Sequence, residues 1–577
     1  MDSTLTELPN VMKFNDFVYQ RPEMAYLKEE FHNLLEEFRN AGNAERQDEI
    51  ASDVNALRNN FSSMRDLASI RYTANTADPL NQAERAFFDE HNPEFEGLTN
   101  EYYKAAIQSP YRNKLEQNWG SQFFRLAEMR LKTHSPTIEG LMQEDNALSS
   151  EYVKLIASAR IYFEGKERNL SDIDTFTSSL DRNLRKMAME AKYSFFEKNA
   201  GTLDTIFSNL VKVRTVAAHK LGYKNFIQLA YDRLGRTDYD EKMIASYREK
   251  IRKLLVPLVM KFKEMQAQRL EIPKLKYYDE AFKFHSGNPK PKGDKNWIMQ
   301  NASRMYNEIS PETGDFINFM SETDLMDLEN RKGKASGGYC TYMPDFKTPF
   351  IFSNFNGTDG DVKVLTHEAG HAFQVYNCRD FTIPEYYFPT FEAAEIHSMT
   401  MEFITYPWMH LFFGEETDKF IYLHAIGSLS FLPYGAAVDE FQHHIYANHD
   451  ISSQERKKAW KSIEKKYLPH RDYDGIPFLE QGGFWQQQRH IYQRPFYYID
   501  YTLAQVCAFQ FWAKFNENHD LAWNDYMRLC KAGGSRSFLE LVDIAGLASP
   551  FNNGSIEKVV TMVEAWLKGK HEKMNRL

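Results

Sequence analysis

Cysteine is nearly absent. The four that occur, Cys340, Cys378, Cys507 and Cys530, lie far apart in 577 residues and form no C-x-x-C pair, which fits reduced thiols in a reducing compartment. Long hydrophobic runs are missing too. Apolar stretches such as "LLVPLVM" at 254–260 fall far below the roughly 18 residues that would span a bilayer. The opening "MDSTLTELPNVMKFNDF" has no basic start followed by an apolar core, so no secretory signal is expected. Positive charge is in deficit: 70 Lys and Arg against 80 Asp and Glu leave a net charge of −10, which argues against a nucleic-acid partner because phosphates would be repelled. A cytoplasmic protein with no membrane partner is the expectation. No repeat period and no low-complexity linker stand out.

What is present is a soluble globular composition, 42% hydrophobic and 26% charged, rich in Phe (43) and Tyr (32). That suits large helical cores and aromatic-lined grooves. The length is too great for one small core, so two lobes or more are expected. In "PEMAYLKEEFHNLLEEFRNAGN", Leu27, Phe31, Leu34, Leu35 and Phe38 recur at helical spacing and Gly42 lies just past the end. Similar patterns run through 46–72, 80–105, 112–133 and 179–219. One exception, "KLIASARIYFEGKERNLS" at 154–171, predicts a short hairpin around Gly165. The reading is a helical N-terminal lobe with that hairpin over 1–200 and a second domain over 201–577.

Extended segments follow at "GKASGGYCTYM" (333–343) and "PFIFSNF" (349–355), the latter reading as a buried strand. A helix is expected over Val362–Tyr376, with Thr358 and Asp361 resembling a reciprocal capping box. Within it, "LTHEAGHAF" places His367 and His371 four apart, on one helical face, with Glu368 between them. Two imidazoles so placed can bind one ion while Glu368 projects toward the water beside it. Chance alone gives roughly 0.03 H-E-x-x-H matches in such a chain. A catalytic zinc needs three protein ligands and an open position. The nearest candidates for the third are in "TFEAAEIHSMTMEF" (390–403), where Glu392, Glu395, His397 and Glu402 lie among apolar residues. A carboxylate buried there needs a charge partner. Spacing favours Glu395 only slightly over Glu392.

The ordered series "GKASGGYC", "NFNGTDGDVKVLTHEAGHAFQ", "AEIHSMTME", "DEFQHHIY", "RHIYQRPFYYIDY" and "AGGSRSFLEL" resembles the thimet oligopeptidase and oligoendopeptidase F superfamily of zinc peptidases. Within it, the chain looks most like the bacterial oligoendopeptidase F and Pz-peptidase branch. The likeness covers most of the chain after about residue 200. It implies a mainly α fold, two helical lobes around a deep substrate channel, with a small β-sheet beside the H-E-x-x-H helix. It also implies one zinc ion held by His367, His371 and Glu395, because the family's third ligand opens an E-x-x-S-x-x-x-E helix whose positions here are Glu395, Ser398 and Glu402. Glu402 would orient a ligand imidazole. Glu368 would be the general base. His490, Tyr498 and Tyr501 would steady the carbonyl oxygen, with Tyr501 aligning best to the family's transition-state tyrosine. The chain departs from the thimet branch at "QRPF", which leaves Tyr497 without an assignment.

Gly337, Gly338 and Tyr339 are candidate substrate-binding residues. The two glycines would let backbone approach an extended peptide, and tight turning accounts for them equally well. His443 and His444 read as structural, since no matching ligand set is nearby. "GGS" at 533–535 reads as a loop near a cleft rim. The activity implied is endopeptidase cleavage of short unfolded oligopeptides. The alternatives are a dipeptidyl or carboxy-exopeptidase, or a non-catalytic zinc-containing peptide-binding protein.

Overall fold

The computed structural model describes residues 12–574. The first residues of the opening stretch, expected to carry no secretory signal, lie outside that range. The fold is mainly α-helical with two small sheets. The helix Met24–Asn40 buries Leu27, Phe31, Leu35 and Phe38 as one stripe. Two of the longer periodic stretches are each broken in two. Arg112–Trp119 and Ser121–Thr133 part at Gly120, whose φ of +90° no helix accommodates. Arg182–Lys198 and Ala200–Lys220 part at Asn199, where the backbone leaves the helical region. Hydrophobic periodicity runs through both breaks, so the pattern alone could not register them.

The expected hairpin forms. β1 (Ile161–Phe163) pairs antiparallel with β2 (Lys166–Arg168). Glu164 and Gly165 both take positive φ, 49° and 72°, the two-residue turn whose twist matches that of a hairpin. The second sheet has β3 (Met326–Glu329), β4 (Tyr339–Met343) and β5 (Thr348–Phe355) in the order β3-β5-β4. β3 runs parallel to β5 and β4 antiparallel. The extended segment expected over 333–343 is a strand only from Tyr339, because Gly333 and Gly337 turn the chain at φ +85° and +99°. β5 is central and buried on both faces along most of its length, as its unbroken apolar run implies.

Helix α1 (Asp359–Cys378) follows β5 and packs on the sheet, and α2 (Phe391–Ile404) lies against α1. The expected capping box does not form. The Asp361 carboxylate instead accepts hydrogen bonds from the backbone of Asn356 and Gly357 at 2.9 and 2.7 Å. The Thr358 hydroxyl donates to Asn356 Oδ1 at 2.7 Å. Asp361 thus ties the turn leaving β5 to the start of α1, and the helix begins at Asp359. Further on lie the long helix α3 (Thr417–Ala447) and α4 (Tyr498–Glu517). The run His410–Ala447 is long and apolar enough to cross a membrane by length and composition, unlike the shorter runs picked out in the sequence. Most of its apolar window, 61%, is buried inside the protein, the condition of a core helix.

Two compact units emerge. One gathers the chain to Leu131, Lys290–Glu415 and Lys514–Leu547; the other gathers Lys132–Pro289, Glu416–Ala513 and the chain from Ala548. A linear division at residue 200 does not describe them, since that position falls inside the second unit. Local periodicity shows that a helix has an apolar face, but not which distant helix covers it.

Candidate metal centre and tyrosine cluster

The first unit holds the H-E-x-x-H helix. His367, Glu368 and His371 project from the middle of α1, and Glu392, Glu395, His397, Ser398 and Glu402 come from α2. What lets α2 approach is Gly370. A Cβ there would stand 2.6 Å from Ser398 Cα and 2.7 Å from the His397 carbonyl oxygen, distances no real methyl tolerates. Glycine inside a helix costs about 1 kcal/mol relative to alanine, and the close crossing of two backbones is the reason for it here. The signal was present in "HEAGH", but its packing partner was not.

The crossing brings three donors together. Nitrogen atoms of His367 and His371 and a carboxylate oxygen of Glu395 lie within 4.8 Å of one another. Glu395 Oε2 is 3.3 Å from His367 Nε2 and 3.5 Å from His371 Nε2. Tetrahedral zinc with bonds of about 2.0–2.1 Å separates its ligand atoms by about 3.3 Å, so the donor set fits the ion. Glu392, left open by spacing, is not among the three. Ser398 Oγ donates to Glu395 Oε2 at 2.9 Å. Glu402 Oε1 lies 2.7 Å from His367 Nδ1, which places the imidazole proton on Nδ1 and leaves Nε2 facing Glu395.

The electrostatics follow from burial among unlike charges. Burial opposes protonation of His367, but the Glu395 and Glu402 carboxylates outweigh it and raise its pKa well above the ordinary value. Burial likewise opposes ionisation of Glu395, and His371 and His367 more than reverse this, holding it well below the usual carboxylate range. Glu368 behaves differently: burial raises its pKa, with both histidines only partly offsetting the rise. Such a carboxylate takes a proton more readily than an exposed one. His397 is a core residue, its Nδ1 2.9 Å from the Ala393 carbonyl and its pKa pushed down to about 4 by burial.

The two glycines before β4 differ in their surroundings. Gly337 turns the chain at positive φ. A Cβ at Gly338 would lie 3.5 Å from Glu368 Oε1 and 3.3 Å from the Phe352 carbonyl oxygen. Tyr339 stacks on Phe352, with ring centroids 4.8 Å apart, and shares a 2.7 Å hydrogen bond with the Thr73 hydroxyl. Strand alternation turns Cys340 the other way, and burial and the Glu368 charge both keep its thiol protonated. A thiolate nucleophile is therefore disfavoured there.

The second unit holds the remaining candidates. His490 stands in the short helix Arg489–Gln493, its ring centroid 5.0 Å from Tyr498 and 5.8 Å from Tyr501. Tyr498 and Tyr501 lie one turn apart on α4 with centroids 5.8 Å apart. Gln488 Nε2 donates to His490 Nδ1 at 2.8 Å, while Gln488 Oε1 accepts from the Tyr434 hydroxyl at 2.7 Å. A neutral His490 held this way carries its proton on Nε2, as a hydrogen-bond donor. Tyr497, left unassigned, is buried at 6% exposure, whereas Tyr498 and Tyr501 are half-buried. Gln488 carried no recognisable pattern in the sequence.

A helical fold with H-E-x-x-H on one helix and a carboxylate from the next defines a metallopeptidase of the H-E-x-x-H class. Comparison with known proteins sharpens this. The model described as "Peptidase M3 N-terminal domain" matches residues 14–134, and that described as "Peptidase family M3" matches 312–560. The chain belongs to peptidase family M3 and is a metalloendopeptidase of that family. It is similar to a Pz peptidase A solved with an inhibitor, at 55% identity and TM-score 0.93 over 96% of this chain and 99% of that one. A solved oligoendopeptidase F is 54% identical with TM-score 0.94, covering 98% of this chain and all of its own. Oligopeptidase PepF of Bacillus subtilis (strain 168) is 22% identical over 77% of this chain and 69% of its own length.

Proposed function

We propose that the protein is a zinc endopeptidase that hydrolyses internal bonds of short, unfolded oligopeptides, with His367, His371 and Glu395 holding the ion. The observation that carries this reading is the convergence of those three donors beside the buried Glu368. Zinc, when bound, supplies a Lewis acid for the scissile carbonyl and acidifies water. Glu368 accepts the proton of the attacking water at its carboxylate and returns it to the leaving amine nitrogen. Glu402 fixes the His367 ring by accepting from Nδ1. Gly338 keeps the chain entering β4 clear for an extended peptide backbone beside Glu368.

The family resemblance supports a further role for the second unit: His490 Nε2 and the hydroxyls of Tyr498 and Tyr501 donate to the oxyanion of the tetrahedral state. The free state of all four cysteines supports a reducing, cytoplasmic setting. The test is metal analysis combined with mass spectrometry of products from peptides blocked at both termini. Internal cleavage of blocked peptides and about one ion per chain are expected. Glu368→Gln should retain the ion and lose hydrolysis by several orders of magnitude. Full activity in that variant removes the base, and failure to cut the blocked peptides while their unblocked counterparts are trimmed from the C-terminus converts the reading to an exopeptidase.

A further inference from the structure

The D-E-F-Q-H-H-I-Y stretch takes no part in the metal cluster. Asp439, Gln442, His443 and Tyr446 stand at i, i+3, i+4 and i+7, one face of α3. That face addresses a single turn of chain, the one that leads into α4. Its central residue, Phe496, has φ +66°, a left-handed conformation that a bulky side chain adopts only when its surroundings impose it. They do. Phe496 is fully buried, with ring centroids 4.8 Å from His443, 5.6 Å from Tyr446 and 5.9 Å from Tyr231. Its N–H donates to Gln442 Oε1 at 2.8 Å.

Its carbonyl accepts from Arg236 Nη2 at 2.7 Å, and the same nitrogen reaches Asp500 Oδ1 at 2.6 Å. Asp500 lies in the first turn of α4, between Tyr498 and Tyr501, and both members of this ion pair are wholly enclosed. The guanidinium lies over the Tyr231 ring at 4.3 Å, and the Tyr231 hydroxyl is 3.0 Å from His443 Nε2. Arg248 closes the set by pairing with Asp439 and with His443 Nδ1. A buried ion pair contributes little net stability over apolar residues of equal volume, but it fixes direction.

We propose that Arg236 is a positioning residue for the peptidase reaction. By gripping the Phe496 carbonyl and the Asp500 carboxylate together, it sets the start of α4 and hence where the Tyr498 and Tyr501 hydroxyls point. The inference rests on the reading that those hydroxyls steady the oxyanion.

Removing Arg236 alone strands a buried carboxylate, so the test uses Arg236→Met/Asp500→Leu, which removes both charges, and Arg236→Lys, which keeps the charge but is one atom shorter and lacks the planar guanidinium that lies over the Tyr231 ring. Kinetics are read on an internally quenched peptide that the native enzyme cleaves, with bound metal and melting temperature measured alongside. The double variant should keep its metal and a near-native KM while kcat falls about 10- to 100-fold. Arg236→Lys should fall between it and the native enzyme. Tyr501→Phe should lower kcat strongly in the native protein and much less in the double variant, since interacting residues are non-additive. A folded double variant with native kcat overturns the proposal, as does an equal effect of Tyr501→Phe in both backgrounds. If Tyr501→Phe leaves native kcat unchanged, the oxyanion reading itself falls.

Discussion

At the scale of single residues, Gly370 makes the strongest demand on the site. Replacement by alanine adds helix propensity worth about 1 kcal/mol, but the new methyl must push against Ser398 Cα and the His397 carbonyl. Overpacking of that kind costs typically 1–3 kcal/mol, and neither contact is the end of a flexible side chain. The strain relieves itself by moving α2, which carries Glu395 away from two imidazoles on α1. Metal–ligand distances in real sites keep to their reference values within about 0.2 Å. Gly370→Ala should therefore lose metal to a chelator at least about 10-fold more readily while unfolding only modestly earlier. Competition against a fluorescent zinc chelator, alongside a thermal melt, measures both. Unaltered retention would show that the crossing has slack the geometry does not suggest.

At the scale of elements, the connection between α1 and α2 decides how α2 returns. Its turn Pro384–Tyr386 is held by Glu385, which accepts from Arg58 in the helix Ala44–Ala74 and from Tyr103 in Pro79–Ile107. The A-G-G-S loop packs on the same connection. A Cβ on Gly533 or Gly534 would come within 2.4 Å of the Tyr386 or Phe388 carbonyl oxygen, and Gly534 N donates to Tyr386 at 2.9 Å. Read from sequence as a loop at a cleft rim, it is a brace for the connector. Burial raises the Glu385 pKa, but the Arg58 charge outweighs it and holds the folded carboxyl below its ordinary value. A depressed carboxylate stabilises the fold above its unfolded pKa, and that stabilisation is lost as pH falls through the folded value. Arg58→Met, which strands the carboxylate, should cost about 3–5 kcal/mol near pH 7. The gap in melting temperature from the native protein should close as pH drops below about 4.5. Melting curves from pH 7 to 3 would reveal it, and a constant gap would mean the pair is not what stabilises this turn.

At the scale of the whole molecule, the cysteines report on compactness. Cys378, Cys507 and Cys530 are buried and Cys340 is half-buried, all four free. Burial pushes the Cys378 thiol up to about 12 and raises the other three as well. Thiol titration near pH 8 should find little fast reaction in the native enzyme and four equivalents after denaturation. Rapid modification of more than one thiol without unfolding would contradict this packing.

By itself the sequence determined the helical character, the hairpin at Gly165, the H-E-x-x-H helix and the family. Each is written in spacing along the chain or in an ordered series of motifs. It left His443 without a partner, the backbone crossing at Gly370 unseen and the compact units undrawn, while Glu395 was set apart from Glu392 by the family series and not by spacing. What tertiary structure alone supplied was the approach of α2 at Gly370, the seating of Phe496 against α3, and the joining of segments far apart in the chain in one unit. The physical reason is that periodicity records which face of an element is apolar, whereas a site depends on which two faces meet and how closely their backbones pass.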